Sequence, residues 1–489
     1  MSTRRALSFS FLDRYSGLVL NIIASMILAR LLTPADIGVF SVTMVFLGFI
    51  RTFRDMGAGQ YLVQEKELTI DRIRAAWTMQ LGLGLLLALI VLLVSYPVAV
   101  FYKEPRMKEI MWVMALNFTI NPFGSLTNAW LSREMRFDAI AIIRFTSTIT
   151  GTAISIWAAW TGYGPISLAF GSLANTVTVA ILSFFYRPQF FPWMPGLKEI
   201  RRVLSFGWML TAISLLYTAY GGAPEMFLGR LQGMANTGLF SRGQGLVSMF
   251  ERLVMDAVGA VAQPFFSKQS RQGHELGQSF IQATALVCAL GWSFLGCVAI
   301  LAFPIIRVLY GTQWDGAVNL TRQLCLVLSL LLPARMCGAP LIAVGAMRTV
   351  LVIVLINTIV QVTLTGLGTF IGMSALGWTL SISALIGTVI SLRKTQPLIL
   401  FSWQDLQSSL NRSAIVACGA MVAPLAITFA YGLQPKLPLL ALAIALPGAG
   451  LGFFAAARAT RHPIWQEVNR LLTTLRKSHS TLKTMNEDA

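Results

Sequence analysis

Long apolar runs near 20 residues, divided by short polar breaks, set the pattern of this chain. A run of about 18 or more apolar residues with few charges reads as a membrane-crossing helix. The alternating ten-residue strands of an outer-membrane barrel are not what this pattern describes. The first helix is expected over residues 11–32, stopped by Thr33 and Pro34. The second begins at an Asp36 cap and runs to about residue 57, where Gly57 and Gly59 break it. Further helices are expected over 75–101, 108–131 and 139–185, the last stretch split into two at residues 161–165. Residues 186–202, with three prolines, form the longest polar break of the first half. The second half repeats the rhythm over 203–229, 236–266, 276–304, 317–344, 349–392 (two helices) and 414–457 (two helices).

The reading is an all-α polytopic membrane protein with about fourteen transmembrane helices. Its expected parts are an N-lobe (1–186), a cytoplasmic linker (187–202) and a C-lobe (203–396). Two further helices (397–457) and a basic cytoplasmic tail (458–489) complete it.

One stretch occurs twice. Leu28, Arg30, Leu31, Ala35, Gly38, Phe40 and Ser41 recur without a gap as Leu228, Arg230, Leu231, Ala235, Gly238, Phe240 and Ser241. Asp36 becomes Asn236, another residue suited to a helix start. Each copy joins the first and second helices of a six-helix set. An even number of helices separates them, so the lobes are like-oriented, related by an axis along the membrane normal.

Composition supports the membrane reading: 55% of residues are hydrophobic and 12% charged, against about 25% charged in soluble proteins. The net charge of +18 would suggest nucleic acid in a soluble chain. Here Lys and Arg gather on alternate loops, on the side of both termini, which places the termini in the cytoplasm. Five cysteines without a CxxC pair, and three histidines confined to loops or tail, support neither a disulfide framework nor a metal site. There is no phosphate-binding loop, zinc helix or nucleotide fold, so no cofactor and no enzymatic centre is expected.

Charges inside spans are costly and mark cavities or partners. The cations are Arg14, Arg51, Arg54, Arg252 and Arg335. Arginine suits phosphate because its planar fork binds two oxygens and keeps its charge. Arg252 and Arg335 lie deepest; Arg14, Arg51 and Arg54 lie near cytoplasmic helix ends, where snorkelling to the interface is the competing reading. The acids are Asp55, Glu225, Glu251 and Asp256. Arg51 with Asp55, and Arg252 with Asp256, stand at i,i+4 and share a helix face. These acids are read either as structural partners or as gate and ion-coupling groups.

The segment from Arg30 through Thr33, Pro34, Asp36 and Gly38 to Phe40 resembles the signature of polysaccharide transporters. These are the Wzx-type oligosaccharide flippases of the multidrug/oligosaccharidyl-lipid/polysaccharide superfamily. Residues 56–64, 229–233, 237–240 and 263–267 resemble further segments of that family, and the likeness spans about residues 5–400. Near residue 225 the family often carries an Asn-x-Asp-type stretch, where this chain has Ala223, Pro224 and Glu225. The resemblance implies two six-helix lobes around a central cavity. It implies alternating access that turns over undecaprenyl-diphosphate-linked oligosaccharide among the lipids of a bacterial inner membrane, alongside a polysaccharide polymerase and co-polymerase. The competing functions are a multidrug or cation antiporter of the same superfamily, and a membrane polysaccharide polymerase or ligase. The short outer loops speak against the polymerase or ligase.

Overall fold

The computed structural model describes residues 17, 19–54, 62, 65, 69–188, 191, 196, 198 and 208–465. Among these residues, helices occupy the places that the apolar pattern marks. In chain order they are α1 (Val19–Leu31), α2 (Pro34–Arg54), α3 (Ile70–Tyr102), α4 (Arg106–Ile120), α5 (Pro122–Arg133), α6 (Phe137–Trp160) and α7 (Ile166–Phe185). Then follow α8 (Trp208–Leu231), α9 (Met234–Phe250), a π-helical segment (Glu251–Met255) and α10 (Asp256–Arg271). The rest are α11 (Gly277–Ile300), α12 (Ala302–Leu309), α13 (Ala317–Arg335), α14 (Gly338–Ala343), α15 (Met347–Ile371), α16 (Met373–Ile399), α17 (Trp403–Tyr431) and α18 (Pro438–Ala459). Among the described residues, ten helices are long and apolar enough to cross a membrane, α13 and α14 counting as one. Of the helices outside that set, α1, α4, α5, α9 and α10 are each shorter than 18 residues as described, and α8 is long enough but carries Glu225 and Arg230.

Local chemistry sets the helix ends. Thr33, not Asp36, caps α2: its Oγ1 accepts the Asp36 N–H at 3.2 Å, while Asp36 Oδ2 reaches back to the Thr33 N–H at 3.0 Å. The sequence places the cap at Asp36 because either residue type serves; the reciprocal pair is a capping box with the acid at its third position. Thr69 and Ser402 cap α3 and α17 through their hydroxyls. Lys103, in the left-handed region at φ 55°, closes α3 before a turn into α4.

By contacts the chain divides into two compact units, residues 1–241 and 242–489. In the first, α3 packs on α4, α6 on α7, α4 on α7 and α2 on α8. Its core gathers Val39, Leu47, Val91, Met107, Ile110 and Met111. In the second, α11 packs on α13 and α17, α17 on α18, and α16 on both α13 and α15. Trp314, Phe280 and Val416 are fully buried there.

Candidate functional site

The two copies of the repeated segment cross each other inside the first unit. A Cβ added to Gly38 would overlap the Met234 carbonyl oxygen, and one added to Gly238 would overlap the Pro34 carbonyl oxygen. The overlap is reciprocal and falls on backbone, so neither position has room for a side chain. One turn further on, the Ser41 and Ser241 hydroxyls lie 2.6 Å apart. Ser241 also hydrogen-bonds the Glu225 carboxyl. Phe240 is buried and Phe40 half-buried. The arginines of the motif are exposed; Arg230 lies over the Phe101 ring, 5.1 Å from its centroid.

A clamp holds one corner of the same unit. Arg106 Nη1 donates to Asp36 Oδ1 at 2.7 Å, while its Nε and Nη2 donate to the two Glu104 oxygens at 2.8 and 2.9 Å. One guanidinium thus ties the start of α2 to the start of α4. The hydrogen bonds from Arg106 hold the Glu104 carboxyl below the usual carboxylate range.

Between α2 and α8 lies a cavity of about 420 Å³, bordered by Phe40, Met44, Val45, Tyr217, Thr218 and Glu225. Pro224 stands inside α8 immediately before the acid. Glu225 is therefore a carboxyl on an apolar wall, with Ser241 as its hydrogen-bond donor.

The second unit holds the remaining charged candidates. The π-helical segment carries both Glu251 and Arg252. Arg335, the last residue of α13, donates through Nη2 to Glu251 Oε1. Both side chains keep about a third of their surface open, at 38% for Arg335 and 32% for Glu251. Arg252 Nη2 donates to Gly245 O at 3.1 Å and Ser248 Oγ at 3.3 Å, folding back along its own helix. Asp256 is exposed at the start of α10.

Of the other sequence candidates, Arg51 and Arg54 end α2, and the Arg54 guanidinium lies 5.8 Å from the Phe118 ring centroid. Arg14 and Asp55 fall outside the described residues. Sequence reasoning missed Arg242, whose guanidinium lies 5.4 Å from the Tyr310 ring centroid and 5.3 Å from that of Trp314. Its signal was present, as an arginine inside an apolar helix directly after Ser241. Among the described residues no cluster of His, Cys, Asp and Glu has the geometry to hold a metal ion.

A family profile described as "Polysaccharide biosynthesis protein" matches residues 27–319. The chain belongs to this family. Within it, similarity extends to an "Uncharacterized membrane protein in cps region" of Klebsiella pneumoniae, 24% identical over 71% of this chain and 72% of that protein. The "Lipopolysaccharide biosynthesis protein WzxC" of Escherichia coli is 21% identical over 63% of each chain. The "Succinoglycan biosynthesis transport protein ExoT" of Rhizobium meliloti is 24% identical over 67% of each. The fold is shared with "Lipid II flippase MurJ, inward closed conformation" at a TM-score of 0.71 and 14% identity, covering 94% of this chain and 99% of that one. A multidrug resistance MATE family transporter in its inward-facing conformation follows at 0.62 and 12%, covering 79% and 98%. This member of the polysaccharide biosynthesis family is a multi-pass membrane protein built on that fold.

Proposed function

We propose that this chain is a flippase for undecaprenyl-diphosphate-linked oligosaccharide units. It turns them over the bacterial inner membrane for exopolysaccharide, O-antigen or capsule synthesis. Each hydroxyl taken unpaired into hydrocarbon costs roughly 2–7 kcal/mol, and the diphosphate costs far more. A protein that does this work must offer a wet polar path to the sugar and fixed cations to the diphosphate. The observation that carries the reading is the family match over residues 27–319 in a chain of membrane-crossing helices. The relatives named for lipopolysaccharide biosynthesis and succinoglycan transport support the same substrate class.

In this proposal the lobes 1–186 and 203–396, joined by 187–202, alternate access to a cavity between them. Both termini are cytoplasmic. Arg14, Arg51, Arg54, Arg252 and Arg335 supply the cations for the diphosphate. Asp55, Glu225, Glu251 and Asp256 serve as gate or ion-coupling groups. A single charge moved through the membrane potential gains about 2.3 kcal/mol per 100 mV, enough to bias the cycle. A polymerase and co-polymerase receive the delivered units.

The test is a deletion strain analysed by mass spectrometry of its lipid-linked intermediates. Complete undecaprenyl-diphosphate-linked repeat units are expected to accumulate, and surface polymer to fall. Intact polymer with altered drug sensitivity would instead assign the chain to antiport.

A further inference from the structure

We infer that Glu251 is a built-in competitor for the substrate's diphosphate, holding Arg335 until a diphosphate headgroup displaces it. The inference rests on the flippase reading and deepens it.

The pair is unusual in its placement. Glu251 and Arg335 are 84 residues apart and come from two different helices of the second unit. Each lies about 26 Å along its helical run, counted from Met234 for one and from Ala317 for the other at ~1.5 Å per residue. The two runs begin on the same face of the membrane in the proposed topology, so the residues meet at equal depth. Against a hydrocarbon core of about 30 Å, that depth is the inner third, next to the cytoplasmic face where lipid-linked units are made. The run that holds Glu251 continues through α10 for another 16 residues, ending in Lys268 and Arg271.

The backbone is modified at the same point. The π-helical segment covers Glu251–Met255, between two stretches of α-helix. Such a bulge is rare and concentrates at functional sites. Arg335 stands at the end of α13, two residues after Pro333 and just before α14 begins at Gly338. Both partners thus sit where their helices change geometry.

Exposure decides the energetics. An ion pair about one third open to its surroundings is worth a fraction of a fully buried one. A diphosphate offers several oxygens with at least two negative charges, against one carboxylate. It matches the guanidinium fork as well as Glu251 does and outbids it electrostatically. Exchange of one anion for the other leaves Arg335 paired in both states. No bare cation stands in the membrane while the carrier is empty, which is the state a lone arginine there would make expensive.

The experiment measures binding of farnesyl diphosphate to the purified full-length protein in detergent, with farnesol as control. Wild type, Glu251→Gln, Glu251→Asp, Arg335→Ala and the double variant Glu251→Gln/Arg335→Ala are compared, each checked for monodispersity. Glu251→Gln is expected to tighten binding about two- to fivefold, the range that an ion pair of this exposure supports. Glu251→Asp should give a smaller gain because its shorter carboxylate reaches less well. Arg335→Ala should weaken binding, and the double variant should match Arg335→Ala. Polymer output from Glu251→Gln cells should fall, because the lipid is then released more slowly. Unchanged or weaker binding by both Glu251 variants, with wild type binding the diphosphate over farnesol, overturns the competitor role alone. Absence of any preference for farnesyl diphosphate in the wild type overturns the diphosphate-carrier reading beneath it. If Glu251→Gln does not yield monodisperse protein, Glu251→Asp decides.

Discussion

Ser41 and Ser241, exactly matched in the repeated segment, place their hydroxyls 2.6 Å apart. The contact sits one turn beyond the crossing of Gly38 and Gly238, where backbone meets backbone. Replacing both serines with cysteine should therefore yield a disulfide under mild oxidation. The crosslink would be read as a gel-mobility change after proteolysis between the two sites, in a background lacking the exposed Cys418. If turnover requires the crossing to open, the oxidised protein should lose polymer output and regain it on reduction. A crosslinked protein with full output would show that the crossing stays shut throughout the cycle.

Gly38→Ala and Gly238→Ala each add a methyl group against a carbonyl oxygen that cannot swing away. Overpacking of this kind costs about 1–3 kcal/mol. Both variants should show lower thermal stability in detergent. The double variant should be less than additive, because one widening of the crossing relieves both overlaps.

Arg106→Ala removes the clamp among Asp36, Glu104 and α4. Arg106 is 40% exposed, so the loss is modest, about 1 kcal/mol or less. The Glu104 carboxyl is held low in the folded state by its bonds to Arg106. Its contribution is therefore present above the ordinary carboxylate pKa of about 4.3. It is lost as pH falls through the lower folded value. Thermal melts of wild type and Arg106→Ala should converge at the acid end and separate toward neutrality.

His462 reports a second pH response. Its Nε2 lies 3.1 Å from Ser413 Oγ, its Nδ1 accepts the Ile464 N–H at 3.3 Å, and both side chains are buried. Burial, and then the nearby Arg412, lower its pKa below the usual value near 6.5. The stabilisation is full above about pH 6.5 and drains away as pH falls through the folded value. His462→Ala should cost about 1–3 kcal/mol at pH 8, since it takes the acceptor from the buried Ile464 N–H, while the Ser413 hydroxyl keeps the Ala285 and Ser409 carbonyls. It should also flatten the melting temperature between pH 5 and 7 on a pH titration with about half-unit steps.

The helical membrane fold was legible because apolar length alone defines a span, and the breaks at Thr33–Pro34 and residues 161–165 carry their own turn chemistry. The partners of the charged residues were not. Spacing reveals neighbours within one helix, such as Arg252 and Asp256 four residues apart, and nothing beyond it. Glu251 with Arg335, and Asp36 with Arg106, join residues 84 and 70 positions apart, and only the packing of helices brings them together. The cap of α2 was misplaced by three residues because Thr33 and Asp36 bond reciprocally. Arg242 was visible in the sequence, but its aromatic neighbours Tyr310 and Trp314 are 68 and 72 residues downstream.

The Gly38–Gly238 crossing also constrains how motion there can occur. Interlocked side chains must change rotamer before two helices separate, and each change adds friction. Here two bare main chains rest on each other beside a single hydroxyl pair. At that point of contact no side chain has to change rotamer before one helix can turn against the other, as one blade of a pair of shears turns on the next.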